Sequence, residues 1–353
     1  MSKMQDEIRQ QPAALERTLR GELRQAERLR ARFEKRRPRM IVLAARGTSD
    51  NACEFGRYLL EIATGIPVSL AAPSIHTLYE TALDYRDLLV VAISQSGEST
   101  DTNVVLERAR AGGAFTLGIA NEASSSMTRL AEAVFLVRAG REQSVAATKT
   151  YTGQLMALYL LAWALGARFR REDLARLPGA AEAALTLEPR IVERAQRYRF
   201  MERAVVIGRG LNYSNAFEFG LKMMETCYVV VERSSSADLM HGPIAMVESS
   251  FPVFLFGPPG VTWPSTRLML EKLRELKVDT LLITDRSNAE AASDKGRTIC
   301  LPLSVSRKSH SPSDLYTPIP YIIPAQMFAA SLAAEKGLDP DRPRTLSKVT
   351  LTM

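Results

Sequence analysis

NACEFGRYLLE, running from Asn51 to Glu61, returns as NAFEFGLKMME from Asn215 to Glu225, with six of the eleven positions identical at a spacing of 164 residues (215 − 51). Upstream of each copy stands a short apolar run, Met40-Ile41-Val42-Leu43-Ala44 and Ala204-Val205-Val206-Ile207. Apolar runs without alternation describe a strand covered on both faces, as in a parallel sheet, so each phrase is the first helix after a buried strand. The same offset carries 90–93 onto 254–257, 116–119 onto 280–283 and 134–136 onto 298–300, so the register survives four strands. Segments at 102–111 and 265–276 read as helices between them, and alternation of strand and helix implies right-handed crossovers.

The expected fold class is therefore α/β: two tandem doubly wound, flavodoxin-like domains whose parallel sheets are flanked by helices. The expected boundaries are an N-terminal basic helical segment at 1–37, a first domain at 38–168, a helical linker at 169–198 broken by Pro178 and Pro189, a second domain at 199–337 and a C-terminal tail at 338–353. Most residues shared by the two phrases are packing residues. The lysine of the second copy, Lys222, has no counterpart in the first.

Ligands of open α/β sheets bind beyond the carboxyl ends of the strands, which directs attention to the loops after Leu43, Ile93, Ile207 and Phe256. The first half offers Gly47, Thr48 and Ser49, then Ser94, Gln95, Ser96 and Ser99. Hydroxyls and backbone N–H groups at a helix N-terminus cradle a phosphate, and the absence of a loop lysine favours a monophosphate over a nucleoside triphosphate. Serine-rich loops also serve simply as helix caps. The matching loop of the second half, Gly257-Pro258-Pro259-Gly260, has lost every hydroxyl and two amide donors. In their place stand Lys222 and Glu225 at i, i+3, followed by Asp238 and His241-Gly242-Pro243. A carboxylate, a lysine and a histidine suit proton transfer beside a carbonyl. Taken singly, the pair also fits a surface ion pair and the histidine a turn residue.

Composition bounds the remaining classes. A hydrophobic fraction of 46% with 24% charged residues describes a globular chain, and the polar N-terminus with no long apolar run predicts a cytoplasmic protein with no membrane partner. Cys53, Cys227 and Cys300 lack pairing motifs, which favours a reducing compartment. The formal charge of +7 invites nucleic acid, but residues 1–37 hold eleven Lys or Arg against six Asp or Glu, so most of the excess sits on one helical segment and no nucleic-acid partner is expected. Gly208-Arg209-Gly210 lacks the third glycine of a dinucleotide loop, since position 213 is Tyr213. His76, His241 and His310 have no ligand spacing, so neither a metal nor a cofactor is expected.

Taken in order, these motifs resemble the sugar isomerase (SIS) domain family, and more closely the isomerase half of glucosamine-6-phosphate synthase and stand-alone relatives that deaminate glucosamine 6-phosphate. Further matching stretches are Met4 to Ile8 with Gln11-Pro12, Val145-Ala146-Ala147-Thr148-Lys149, and the tail from Asp341 to Lys348. The resemblance implies that the first-half loops, with Val145, Ala147 and Ser347, hold a sugar phosphate. It implies that Glu225 moves a proton between C1 and C2, that Lys222 and His241 assist ring opening, and that Lys348 forms a Schiff base with a ketose. It further implies a homodimer in which His241 reaches the neighbouring subunit's site.

Departures are specific. Ser2 stands where the synthase has its glutaminase cysteine, so a chain without the glutaminase is expected, with glutamine not the ammonia donor. Ala147 replaces a serine, Ser99 a threonine, and Asp238 is one methylene shorter than the family's acid. The expected reaction is isomerisation with deamination of an amino-sugar phosphate, glucosamine 6-phosphate to fructose 6-phosphate and ammonia. The competing readings are a deglycase or isomerase of another phosphosugar and a non-catalytic sugar-phosphate sensor.

Overall fold

The computed structural model describes residues 2–294, 296–302 and 314–346. Two helices, α1 (Lys3–Arg9) and α2 (Gln11–Lys35), precede β1 (Met40–Ala44), α3 (Thr48–Thr64), β2 (Val68–Leu70), α4 (Ser74–Thr77), β3 (Leu88–Ser94), α5 (Thr100–Ala111), β4 (Phe115–Ala120), α6 (Ser126–Leu130) and β5 (Ala133–Leu136). Helices α7 (Lys149–Ala164), α8 (Arg171–Leu174), α9 (Leu177–Leu185) and α10 (Glu188–Arg197) follow. Then come β6 (Arg203–Gly208), α11 (Tyr213–Cys227), β7 (Val230–Ser235), α12 (Ser236–Met240), β8 (Pro252–Phe256), α13 (Trp263–Glu275), β9 (Asp279–Asp285), α14 (Ala289–Ala292), β10 (Thr298–Leu301) and α15 (Pro318–Glu335).

Both sheets are parallel, with strand orders β2-β1-β3-β4-β5 and β7-β6-β8-β9-β10, the same order once the offset of 164 is applied. Val42 lies opposite Val90 in the first sheet and Val206 opposite Phe254 in the second, as the offset requires. Each sheet holds one strand more than the sequence disclosed. β2 is three residues long, and β7 alternates exposed Val230 and Glu232 with buried Val231, so neither edge strand shows the continuous apolar run of a central one.

The chain divides into two compact units. One contains the first sheet within 10–142 and 147–176; the other contains the second sheet within 177–344, the N-terminal segment ending at Arg9, and Gln143–Ala146. The flanking helical segments pack onto the sheets' helical layers. In helix α2, Ala14, Leu15, Leu19, Ala26, Leu29 and Phe33 are buried at helical spacing, and the helix packs along α7. Each such large apolar side chain, once buried, contributes about 1.5–3 kcal/mol. Within the helical stretch 169–198, α9 and α10 pack on α15. The offset of 164 places α9 and α10 where α2 would fall and α15 where α7 would fall, so the duplication includes the helical layer. Periodicity could not reveal this, because α7 and α15 are buried around nearly their whole circumference and carry no polar stripe. Among the described residues, no helix is long and apolar enough to cross a membrane.

Helices α3 and α11 stop in the same way, each on a left-handed C-cap. In the first copy this is Gly65 at φ 70°; in the second it is Tyr228 at φ 56°. A tyrosine there costs roughly 1 kcal/mol relative to glycine, so Tyr228 is held in place by its own contacts.

Candidate functional site

In the first unit, β1 and β3 are neighbours whose following helices part company, α3 packing on α7 and α5 on α4 and α6, which is where a doubly wound sheet opens a crevice. Arg46 after β1 donates through Nη2 and Nε to Asp101 Oδ2 in the first turn of α5, at 2.7 and 3.0 Å, and so ties the two loops together. Gly47 opens α3 at φ 59°, ψ −133°, a conformation that excludes a side chain although nothing lies within 4 Å of a built Cβ. Gly97 is required twice over: its φ is +68° and a Cβ would sit 2.2 Å from Ser125 Oγ.

The serines divide into two kinds. Ser94 Oγ accepts the Gly97 N–H at 3.1 Å, and Ser96 Oγ accepts the Glu98 N–H at 3.2 Å. Each of these hydroxyls keeps its own hydrogen to donate, and the N–H behind it polarises that donor toward an anion. Ser49 is buried with its oxygen accepting from Gln154 Nε2, and Ser99 is the N-cap residue of α5 with its hydroxyl against Thr102 Oγ1. Ser49 is thereby tied to α7 and Ser99 to its own helix, although Ser49, like Ser94 and Ser96, keeps a hydrogen to donate. Thr48 and Gln95 are half-buried beside them. Glu98 accepts the Ser126 N–H at 2.9 Å, which fastens the loop to α6 and lowers the carboxyl pKa from its usual range. Two helix N-termini, two hydroxyls with a hydrogen to donate and an arginine at the rim favour a small dianion.

In the second unit the candidate residues Lys222 and Glu225 lie on α11. Lys222 is fully buried, its Nζ 2.7 Å from Glu225 Oε2 and 3.5 Å from Glu218 Oε1. Glu218 is also fully buried, whereas the Glu225 side chain is 22% exposed. One ammonium thus lies between two carboxylates, one sealed in and one within reach of a ligand. Glu218 was missed in the sequence. It belongs to the repeated phrase, where Glu54 is its counterpart, and was counted with the packing residues. In the first copy Glu54 faces Arg57 at 3.8 Å on a part-exposed helix face, and burial pushes its carboxyl pKa up. The available signal was the i, i+4 spacing of Glu218 to Lys222 in an otherwise apolar helix.

The remaining expected residues are placed as follows. His241 is exposed and ends α12, its N–H donating to Asp238 O. Asp238 has a structural role: its N–H donates to Ser235 Oγ while Ser235 Oγ donates to its carboxylate at 2.6 Å, a capping arrangement for α12. The loop around Val145 falls within the first SIS copy by sequence but is divided between the two compact units. Gln143–Ala146 cluster with the second unit and Ala147 with the first, because Glu7 of α1 holds the N–H groups of Gln143 and Ser144. After Ala147, Lys149 is buried and donates to Gln10 Oε1 and Arg141 O, so it anchors the loop. Ser347, Lys348 and His310 lie outside the described residues. Among the described residues there is no group of three or more His, Cys, Asp or Glu able to hold a metal ion.

The SIS domain model matches residues 36–164 and 199–336, the two copies found from the repeat, and the chain belongs to that family. It is 35% identical over 365 residues to the glutamine–fructose-6-phosphate aminotransferase (isomerizing) of Pyrococcus horikoshii, which covers 98% of this chain and 57% of that relative. The chain thus spans little more than half the length of such curated relatives. The C-terminal domain of glucosamine-fructose-6-phosphate aminotransferase from Francisella tularensis matches with a TM-score of 0.87 at 27% identity, over 97% of this chain and 98% of that one. Glucosamine-6-phosphate deaminase from Thermotoga maritima shares the fold, with a TM-score of 0.79 at 20% identity, over 99% and 100% of the two chains.

Proposed function

We propose that this SIS-family chain is an aldose–ketose isomerase that deaminates an amino-sugar phosphate, converting glucosamine 6-phosphate and water to fructose 6-phosphate and ammonia. The single observation that carries the reading is Glu225: a part-exposed carboxylate beside a fully buried ammonium on a helix otherwise built for packing. A base for C2–H abstraction needs access to substrate together with a fixed orientation, and the 2.7 Å bond from Lys222 supplies the second.

In this reading the hydroxyls of Ser94 and Ser96 and the N-termini of α3 and α5 bind the phosphoryl group. His241 and Lys222 assist opening of the ring. Glu225 then removes the C2 proton of the open-chain aldehyde while a water gives the C1 oxygen a proton, which it regains from the C2 amine as the imine forms, so that the intermediate is an enolamine with OH on C1 and NH2 on C2. The same carboxyl returns the proton to C1, which leaves CH2OH at C1 and an imine at C2; water adds to the imine and ammonia leaves. Lys222 stays protonated and stabilises charge developing on the C1 oxygen. His241, exposed beside Met240 and Met246, acts on the site of a second copy in a homodimer, and Lys348 takes the Schiff-base role that family resemblance gives it.

The decisive experiment measures ammonia and fructose 6-phosphate after incubating the protein with glucosamine 6-phosphate. Turnover by the wild type, lost in Glu225→Gln with phosphosugar binding retained, supports the proposal. Wild-type ammonia release from Glu225→Gln overturns the assignment of the base, and turnover of other phosphosugars with none of glucosamine 6-phosphate overturns the substrate.

A further inference from the structure

Helix α1 has only seven residues, yet it is fastened at three points within its unit. Met4 and Ile8 are buried where it packs on α15. At its start, the N–H groups of Lys3 and Met4 donate to Asp341 Oδ2 and Oδ1 at 2.7 and 2.9 Å, so its N-terminal cap comes from the far end of the chain. At its end, Arg9 pairs with Glu188 of α10 through Nη2 and Nε. Between these, the buried Glu7 carboxylate receives two successive backbone donors, Gln143 N–H on one oxygen and Ser144 N–H on the other at 3.1 Å. Side-chain acceptance of consecutive amides fixes the peptide planes they belong to, and Val145 is the next residue. Asp341 is itself held, since its N–H donates to Asp339 Oδ1 at 2.9 Å. Three residues on, the Arg344 N–H donates to Tyr228 Oη at 2.9 Å and its guanidinium lies 4.5 Å over the Tyr228 ring, the left-handed residue three positions after Glu225.

We infer that α1 is a positioning strut: through Glu7 and Asp341 it sets the sugar loop Gln143–Ala146 and the tail segment Asp341–Arg344 as one unit, so that loosening either anchor loosens both. Glu7 and Asp341 are positioning residues that act through the backbone they hold. The consequence for turnover rests on the proposed phosphosugar reaction; the mechanical coupling does not.

Hydrogen–deuterium exchange on the full chain tests the coupling without substrate. Removing one hydrogen-bonded acceptor is worth about a tenfold change in local opening. Asp341→Ala should therefore speed exchange about tenfold at Gln143 and Ser144 as well as in the tail peptide, and Asp341→Asn, whose one amide oxygen can accept one of the two N–H groups, should restore both in part. Glu7→Gln should produce the reciprocal effect at residues 341–344. In steady-state assays with glucosamine 6-phosphate, Asp341→Ala should raise KM and lower kcat together, with Asp341→Asn between it and wild type. Exchange confined to each variant's own segment overturns the strut. If Glu7→Gln does not fold, the Asp341→Ala and Asp341→Asn pair still decides. Coupled exchange without phosphosugar turnover would overturn the function and leave the strut standing; turnover with uncoupled exchange would do the reverse.

Discussion

Replacing Lys222 by methionine is the sharpest test of the charge arrangement on α11. The side chain is fully buried and so is Glu218, 3.5 Å away, so Lys222→Met preserves the apolar volume while depriving a sealed carboxylate of its ammonium. Breaking a buried ion pair in this way costs about 3–5 kcal/mol, because the remaining charge cannot be reached by water. Glu225 loses a partner too, but its 22% exposure lets solvent take over much of the role. In a unit of about 180 residues each kcal/mol moves Tm by roughly 2–4 °C, which gives a fall of about 6–20 °C. The informative comparison is with Lys222→Met/Glu218→Gln, where both buried charges are gone and most of the loss should return. Urea unfolding of the wild type, both single variants and the double variant yields the coupling energy, expected at about 2 kcal/mol or more. A Lys222→Met variant within about 1 kcal/mol of wild type, or a double variant as unstable as the sum of the singles, would refute the view that α11 seals a charge-balanced cluster.

Further outcomes follow from the same geometry. Glu225→Gln keeps the shape of the side chain and should bind phosphosugar within a few-fold of wild type in calorimetry while losing turnover, since an amide cannot take the C2 proton. Ser96→Ala removes one hydroxyl donor to a charged group and should weaken phosphosugar binding by about 10- to 100-fold, with little effect on fluoride or another small spherical anion. Burial pushes the Asp314 carboxyl pKa above its usual value. The folded state therefore holds that proton longer than the unfolded one, and stability from this group is full below the unfolded pKa and declines as pH rises toward the folded value. Asp314→Asn lacks that decline, so its Tm should gain on wild type as pH rises from about 3.9, and a constant Tm difference across that range would contradict the assignment.

The fold was legible because duplication supplied an internal alignment. Four strands per sheet, the first helix of each copy and the loops at their carboxyl ends were placed from one offset. What escaped had a physical cause in each case. β2 and β7 lie at sheet edges, where burial on both faces is not required. α9 and α10 read as a linker because their partner, α15, lies more than a hundred residues on and shows no amphipathic stripe. At the candidate site, Lys222 and Glu225 could be paired from spacing alone, but Glu218 could not be told from its twin Glu54, because the difference is which of them burial encloses. The serine loop was visible as a set of hydroxyls. Which ones accept from the loop's own backbone depends on the hydrogen bonds of Gly97 and Glu98, which spacing does not disclose.

The Gly257-Pro258-Pro259-Gly260 loop bears on how many molecules one chain can hold. Two homologous crevices would ordinarily give a binding isotherm with two endpoints, and competition between them would blur any dose response. With backbone donors deleted at Pro258 and Pro259, the second loop offers a phosphoryl group fewer donors than the first, and titration is expected to saturate at a single equivalent. Duplication here would have doubled the scaffold while keeping the stoichiometry at one.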